Sequence, residues 1–234
     1  MNWKQSFRSA VRLWLGFAGA SWLMAADVRS ETSEEILNRW LGAQRGLTSW
    51  SSEFVQTRYL KALTQPLSAP GHLWFGAPNR FRWELGNPVQ SVALRLDQDL
   101  WILSPQLKRA ERYALGELQK GPIKDALSLL DTGFPRDGAE FHRGFLLVRL
   151  STTNASYVFH LQPRLTAVKR LLPELTVEVT TNTFSLTATE LIFADGSRLR
   201  NDFSNSVNNP ILPPDLFSPR TNSTWRVSEP MKSK

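Results

Sequence analysis

Three histidines, His72, His142 and His160, bring the broadest catalytic and metal-binding chemistry in this 234-residue chain. They fall in separate segments, and none has the H-E-x-x-H spacing that sets two imidazoles on one helical face for zinc. The chain contains no cysteine, which excludes a disulfide, a thiolate metal site and a thiol nucleophile. Asp97 and Asp99 are close carboxylates, but Asp97-Gln98-Asp99 reads as a hairpin turn, where acids act as solvated turn formers. No G-x-S-x-G elbow, Walker loop or dinucleotide glycine pattern occurs. These residues assemble no reaction centre, metal site or cofactor cradle, so the expectation is a protein that is not an enzyme and needs no cofactor.

The chemistry that stands out is apolar contact. Trp50, Phe54, Trp74, Phe75, Phe81, Trp83 and Trp101 fall within about fifty residues, in segments of period two. In Phe81-Arg82-Trp83-Glu84-Leu85 the alternation is sharp: Phe81, Trp83 and Leu85 face one way, and Arg80, Arg82 and Glu84 face the other. Two readings fit, a filled barrel core or an apolar sheet face with room for acyl chains.

The elements that must position these rings are legible in outline. Thr32 and Glu35 have capping-box spacing, and Ile36, Leu37, Trp40, Leu41 and Leu47 recur at helical intervals, which predicts a helix over Ser33 to Gly46. From Trp50 to Leu60 the period becomes two. Gly71–Phe75, Arg80–Leu85, Val89–Leu96 and Leu100–Leu103 then read as short strands separated by Pro, Asn, Gly and Asp turns, the spacing of an antiparallel meander. Pro122 opens a predicted short helix with Ile123, Leu127 and Leu130 on one face, and Gly133 ends it. Strands resume at Gly144–Ser151, Ser156–Leu161, Leu175–Thr181, Ser185–Phe193 and Arg198–Phe203. Asn208 to Pro214 is a stiff connector, and Trp225-Arg226-Val227 adds a last edge strand.

Residues 1–26 have the form of an export signal: Lys4, Arg8 and Arg12, then an apolar run from Leu13 to Ala26, too short to span a bilayer as a helix. Cleavage after Ala26 or after Ser30 is expected; the alternative is an uncleaved anchor helix. The formal charge of the whole chain is +7, and removing a signal with three bases and no acid leaves 25 basic against 21 acidic residues, a net +4. With no dense Lys/Arg run, nucleic acid is not an expected partner. With no cysteine to lipidate, the exported form is expected to be free and soluble, one domain over 31–230.

The strand run resembles the LolA family of periplasmic lipoprotein carriers. The resemblance rests on F-x-Q at Phe54–Gln56, GHLWF at Gly71–Phe75, P-N-R-F-R-W at Pro78–Trp83, Asn87-Pro88, and D-x-D-L-W-I-L-S-P at Asp97–Pro105. Further along it rests on Leu191–Phe217, with the F-x-N-x-x-x-N element at Phe203, Asn205 and Asn209. It implies a mainly β fold: a half-open, unclosed antiparallel β-barrel with a lid of short α-helices over an apolar cavity. It also implies an acylated lipoprotein or related lipid as cargo, an inner-membrane ABC transporter as donor and an outer-membrane protein as acceptor, in the periplasm and as a monomer. Phe81 and Trp83 match family positions on the cavity side and, with Trp50, Phe54, Phe75 and Leu85, make the expected lining. Ile123, Leu127 and Leu130 would form a lid helix. The family usually has an Arg just before the strand-turn proline, tying the lid; here that position is Ala77, so either Arg80 or Arg82 replaces it or no Arg does. The alternative function on this fold is a periplasmic regulator that senses lipid or lipoprotein.

Overall fold

The computed structural model describes residues 31–115 and 138–230. Helix α1 (Ser33–Gln44) begins at the capping box that the spacing predicts: the Glu35 amide donates to Thr32 Oγ1 at 3.2 Å and the Thr32 amide donates to Glu35 Oε2 at 2.7 Å. Both otherwise orphaned N–H groups are thereby satisfied. The bonds that the Glu35 carboxylate accepts from the Thr32 amide and hydroxyl hold its pKa below its ordinary value. Ile36, Leu37, Trp40 and Leu41 form the buried stripe.

Twelve strands follow among the described residues. The first six are β1 (Ser49–Tyr59), β2 (Leu67–Gly76), β3 (Arg80–Leu85), β4 (Ser91–Leu96), β5 (Asp99–Ser104) and β6 (Arg109–Ala114). After the short helix α2 (Gly138–Gly144) come β7 (Phe145–Thr152), β8 (Ser156–Pro163), helix α3 (Thr166–Leu171), β9 (Glu174–Thr180), β10 (Leu186–Ile192), β11 (Arg198–Asn208) and β12 (Arg226–Ser228). They form one sheet in the order β12-β6-β5-β4-β3-β2-β1-β11-β10-β9-β8-β7. All neighbours are antiparallel except β12, which pairs parallel with β6. β7 and β12 end the two sides without meeting, so the barrel is unclosed, as expected. The sequence reading misses β6, whose Arg-Ala-Glu-Arg-Tyr-Ala carries little apolar alternation, and it misses α2 and α3.

The sheet has two apolar faces. The inner face holds the larger core, in which α1 packs over β8 and β9: the Trp40 ring stacks on Phe159 at 4.9 Å and meets Phe141 of α2 edge-on at 5.9 Å. The outer face of β2–β6 carries a second cluster, Val92, Leu94, Leu103 and Ala110, with Trp74 and Trp101 beside it. The segment from 210 to 225 covers it with Leu212, Leu216, Phe217 and Trp225. The run of seven aromatics is therefore divided by register. Trp74 and Trp101 share the outer row with Arg82 and Leu94, while the other five point inward.

The F-x-N-x-x-x-N element has a structural explanation. Asn205 and Asn209 both adopt φ 53°, a left-handed conformation that Asn tolerates better than most side chains. Asn209 Oδ1 accepts from the Thr48 and Ser49 amides at 2.8 and 3.3 Å, and its Nδ2 donates to the Gly46 carbonyl. Asn205 donates to Glu53 at 2.7 Å. The two side chains fasten the end of β11 to the start of β1.

Gly71 sits on β2 between Phe54 of β1 and Leu85 of β3. A Cβ there would fall on the Phe54 ring and on the Glu84 backbone carbonyl. The missing side chain lets the Phe54 ring cross β2 and reach Trp83, 4.3 Å away. Gly71→Ala is expected to cost about 2–3 kcal/mol through overpacking, read as a lower denaturation midpoint; an unchanged midpoint would refute the close-packed crossing.

Candidate functional site

The six lining residues expected from the sequence meet in one cluster on the inner face. Trp50, Phe54 and Phe81 are buried there, whereas Phe75, Trp83 and Leu85 are only half-buried. Trp50, Phe54 and Trp83 surround a ring that the sequence reading places in a strand but leaves out of the lining, Phe203 of β11, at centroid separations of 5.4, 6.0 and 6.5 Å. Leu73, Ala93 and Ile102 extend the surface across β2, β4 and β5. Their signal is the same period-two alternation, weakened by small Ala93 and by the polar residues around it.

The inner face is asymmetric. Along β8–β10, Phe159, Leu161, Leu175, Val177, Val179 and Leu186 are buried, close to the packed faces of α1 and α2. Along β2–β6, most inward side chains keep part of their surface exposed. The expected lid residues Ile123, Leu127 and Leu130 lie outside the described residues, as do residues 1–30 with the expected export signal.

Several polar groups on this face are aligned by strand register. Gln56 of β1, Asn201 of β11 and Thr189 of β10 form a ladder: Gln56 Nε2 donates to Asn201 Oδ1 at 3.1 Å, and Asn201 Nδ2 donates to Thr189 Oγ1 at 3.2 Å. Arg58 Nε closes it by donating to Gln56 Oε1 at 3.0 Å. Gln56 and Asn201 are both buried, so each amide needs its partner. At the β6 edge, Tyr113 donates to Glu111 at 2.8 Å; burial, with that bond, pushes the phenol pKa up.

Neither candidate substitute for the family arginine faces inward. Arg82 bonds Glu84 at 2.6 Å and donates to the carbonyls of Leu216 and Ser218, and the Arg80 guanidinium lies 5.1 Å above the Phe217 ring. Both tie the C-terminal segment to the outer face. On β4 the arginine with inward register is Arg95: it pairs with Phe81 across β3–β4 and alternates with Leu94 of the outer cluster.

The titratable residues considered first are dispersed. His142 is 3.5 Å from Glu34, and His160 contacts Glu174 and Ser151 on the outer face. His72 stacks on Trp74 at 3.9 Å and bonds Ser51. Asp97 takes φ 51° in its turn, and Asp99 pairs with Arg112 at 2.8 Å. Among the described residues no group of three or more His, Asp or Glu is placed to hold a metal.

Comparison with known proteins agrees with this architecture. The family described as outer membrane lipoprotein carrier protein LolA matches residues 45–220. No curated protein matches significantly. Among solved structures, an uncharacterized conserved protein from Thermus thermophilus is similar at 10% identity and a TM-score of 0.50, over 85% of this chain and 99% of that one. A LolA superfamily protein from Nitrosomonas europaea is similar at 12% identity and a TM-score of 0.41, over 81% and 98%. The MucA/MucB complex of Pseudomonas aeruginosa gives 18% and 0.41, over 77% of this chain and 58% of the matched one. At these identities the likeness is one of fold.

Two outcomes test the polar groups. Asn201→Leu strands the buried Gln56 amide and should cost about 1–3 kcal/mol, whereas adding Gln56→Leu should recover part of the loss in a denaturant series. No recovery would mean that the ladder is not a coupled unit. Burial holds the His72 pKa below its ordinary value, against the opposing pull of Glu53 and Glu84. Below about pH 6.5 the unfolded chain therefore takes up a proton that the folded chain resists, and stability falls as pH falls. His72→Gln should flatten that part of the melting-temperature profile between pH 8 and 5, and an unchanged slope would clear His72 of the effect.

Proposed function

The chain belongs to the LolA family, and from that membership and the half-exposed aromatic surface of its inner face we propose that it carries acyl chains through the periplasm. The observation behind this reading is the contrast between the two halves of that face. Around β8–β10 most inward apolar residues are fully buried, with Tyr157 and Leu191 half-buried, whereas over β2–β6 Phe75, Trp83, Leu85 and Ile102 all keep exposed apolar surface. Such a surface suits a flexible apolar ligand and needs no nucleophile.

The physical need for a carrier follows from the cargo. Burying a methylene is worth about 0.8 kcal/mol, so a chain of about 14 methylenes resists exposure to water by roughly 11 kcal/mol. A lipoprotein bears several such chains, and crossing an aqueous gap unaided would be slow. In this reading a transporter in the inner membrane loads the carrier, and an acceptor at the outer membrane unloads it. The absence of cysteine fits the soluble carrier rather than an acceptor anchored through its own lipid.

Phe81 is only 6% exposed, so a charge there would threaten the fold as well as the ligand. Trp83→Ala and Leu85→Ser act at half-buried positions instead. Each should weaken binding of a fluorescent fatty-acyl probe by about tenfold while the circular dichroism spectrum is kept. Lipids or lipoproteins should also co-purify with the exported wild-type protein and be identifiable by mass spectrometry. Unaltered probe binding in both variants, with no co-purifying lipid, would overturn the carrier reading.

A further inference from the structure

Five of the exposed large apolar residues gather at one end of the sheet. Leu60, Leu63 and Leu67 lie on the β1–β2 connection, and Leu165 and Leu171 flank or end α3, each between 41% and 61% exposed. Strand direction places these connections together: the end of β1, the start of β2, the end of β8, the start of β9 and the β10–β11 turn all lie on the same rim. With neighbouring strands about 4.8 Å apart, β1 and β9 are separated by roughly 14 Å.

The β10–β11 turn joins the two parts. The Ala194 amide donates to the Leu171 carbonyl at 2.9 Å, and the Asp195 carboxylate, held low first by its bonds to Ser197, also feels the charge of Lys61. In α3 the buried Val168 and the following Leu172 anchor the short helix. Leu171, Lys169 and Arg170 are consequently presented outward.

The rim carries an excess of positive charge. Segments 58–67, 164–174 and 193–198 contain six bases, Arg58, Lys61, Arg164, Lys169, Arg170 and Arg198, against two acids, Glu174 and Asp195. Glu174 is engaged by His160 on the outer face, and Arg198 is paired with Glu190. The pattern is leucines interleaved with cations on protruding connections. It suits a fluid anionic interface, where apolar tips enter the acyl boundary and Lys and Arg meet headgroup phosphates.

We propose that this rim docks the protein on the surface of an anionic lipid bilayer. The leucines sit on turns and a helix end rather than along a strand, so they can enter lipid without a partner of matching shape. The docking is separate from the carrier reading, because none of these side chains belongs to the aromatic cluster of the inner face.

The test is co-sedimentation of protein purified from the exported fraction with vesicles of phosphatidylglycerol and phosphatidylcholine, compared with phosphatidylcholine alone. The wild type should bind the anionic vesicles at least tenfold more tightly, with affinity falling as salt rises. Leu63→Ser/Leu171→Ser and Lys169→Glu/Arg170→Glu should each reduce that binding about tenfold while melting like the wild type. Trp83→Ala should bind as the wild type does, whatever it does to the acyl probe. Absence of wild-type binding, equal binding to both vesicle types, or undiminished binding in both double variants would overturn the proposal. Loss of binding in Trp83→Ala would do so too, by assigning vesicle association to lipid uptake on the inner face. If vesicles fail and the protein instead self-associates or captures an acidic protein through these residues, the rim is a protein interface and the proposal is wrong.

Discussion

The pairing of β1 with β11 is the contact on which the rest of the molecule depends. In the chain, β1–β6 and β7–β11 are two local meanders, and only this ladder between residues about 150 apart makes them one sheet. Closing so long a loop carries an entropic cost that local strand contacts cannot repay. The side chains along the ladder address this. Phe203 sits against Trp50 and Phe54, Gln56 bonds Asn201, and Asn209 bonds the turn before β1. Apolar contact supplies the stabilisation, whereas the two amide pairs fix the register: a one-residue slip of β11 against β1 would turn Phe203 and Asn201 to the opposite face from Phe54 and Gln56.

Once the sheet is continuous, its two faces pose different problems. The outer face of β2–β6 is apolar in rows that include Trp74, Leu94 and Trp101, and the chain covers it with its own segment 210–225. Arg80 and Arg82 hold that cover in place through Phe217 and two backbone carbonyls. On the inner face, α1 and α2 fill the β8–β9 side through Trp40 and Phe141. Partly exposed apolar surface remains along the inward side of β2–β6, among the described residues, with the Gln56–Asn201–Thr189 ladder on the β1–β11–β10 side and Tyr113 and Glu111 on β6.

Much of this was legible in the sequence, and the failures have physical reasons. The capping box of α1, the limits of β3 and the edge strand near Arg226 follow from local rules of capping, alternation and turn chemistry. The six expected lining residues do share one face, because period two survives wherever both neighbours are unambiguous. Trp74 and Trp101 show where alternation runs out: parity separates them from Phe75 and Phe81, but a strand apolar on both faces gives no hint of which is inner. That assignment comes from the segment 210–225, a tertiary contact. The buried amide ladder was equally invisible, since Gln56, Asn201 and Thr189 are ordinary polar residues until register aligns them. Arg95 went unnoticed because its place opposite Phe81 is also a matter of register.

The inner face also bears on what a carrier of this kind could recognise. Aromatic and aliphatic side chains offer broad, non-directional contact, so each added methylene on a ligand contributes a similar increment without a demand on its headgroup. Hydrogen-bond groups would discriminate, but the ladder's buried amides are already paired to one another, and Tyr113 is paired to Glu111. A ligand that used them would first have to break those bonds, at a cost of the same order as the bond it gained. If the proposed carrier reading holds, recognition on this surface would favour acyl chains as a class over any particular headgroup. Selectivity for one cargo would have to come from groups outside these pairs.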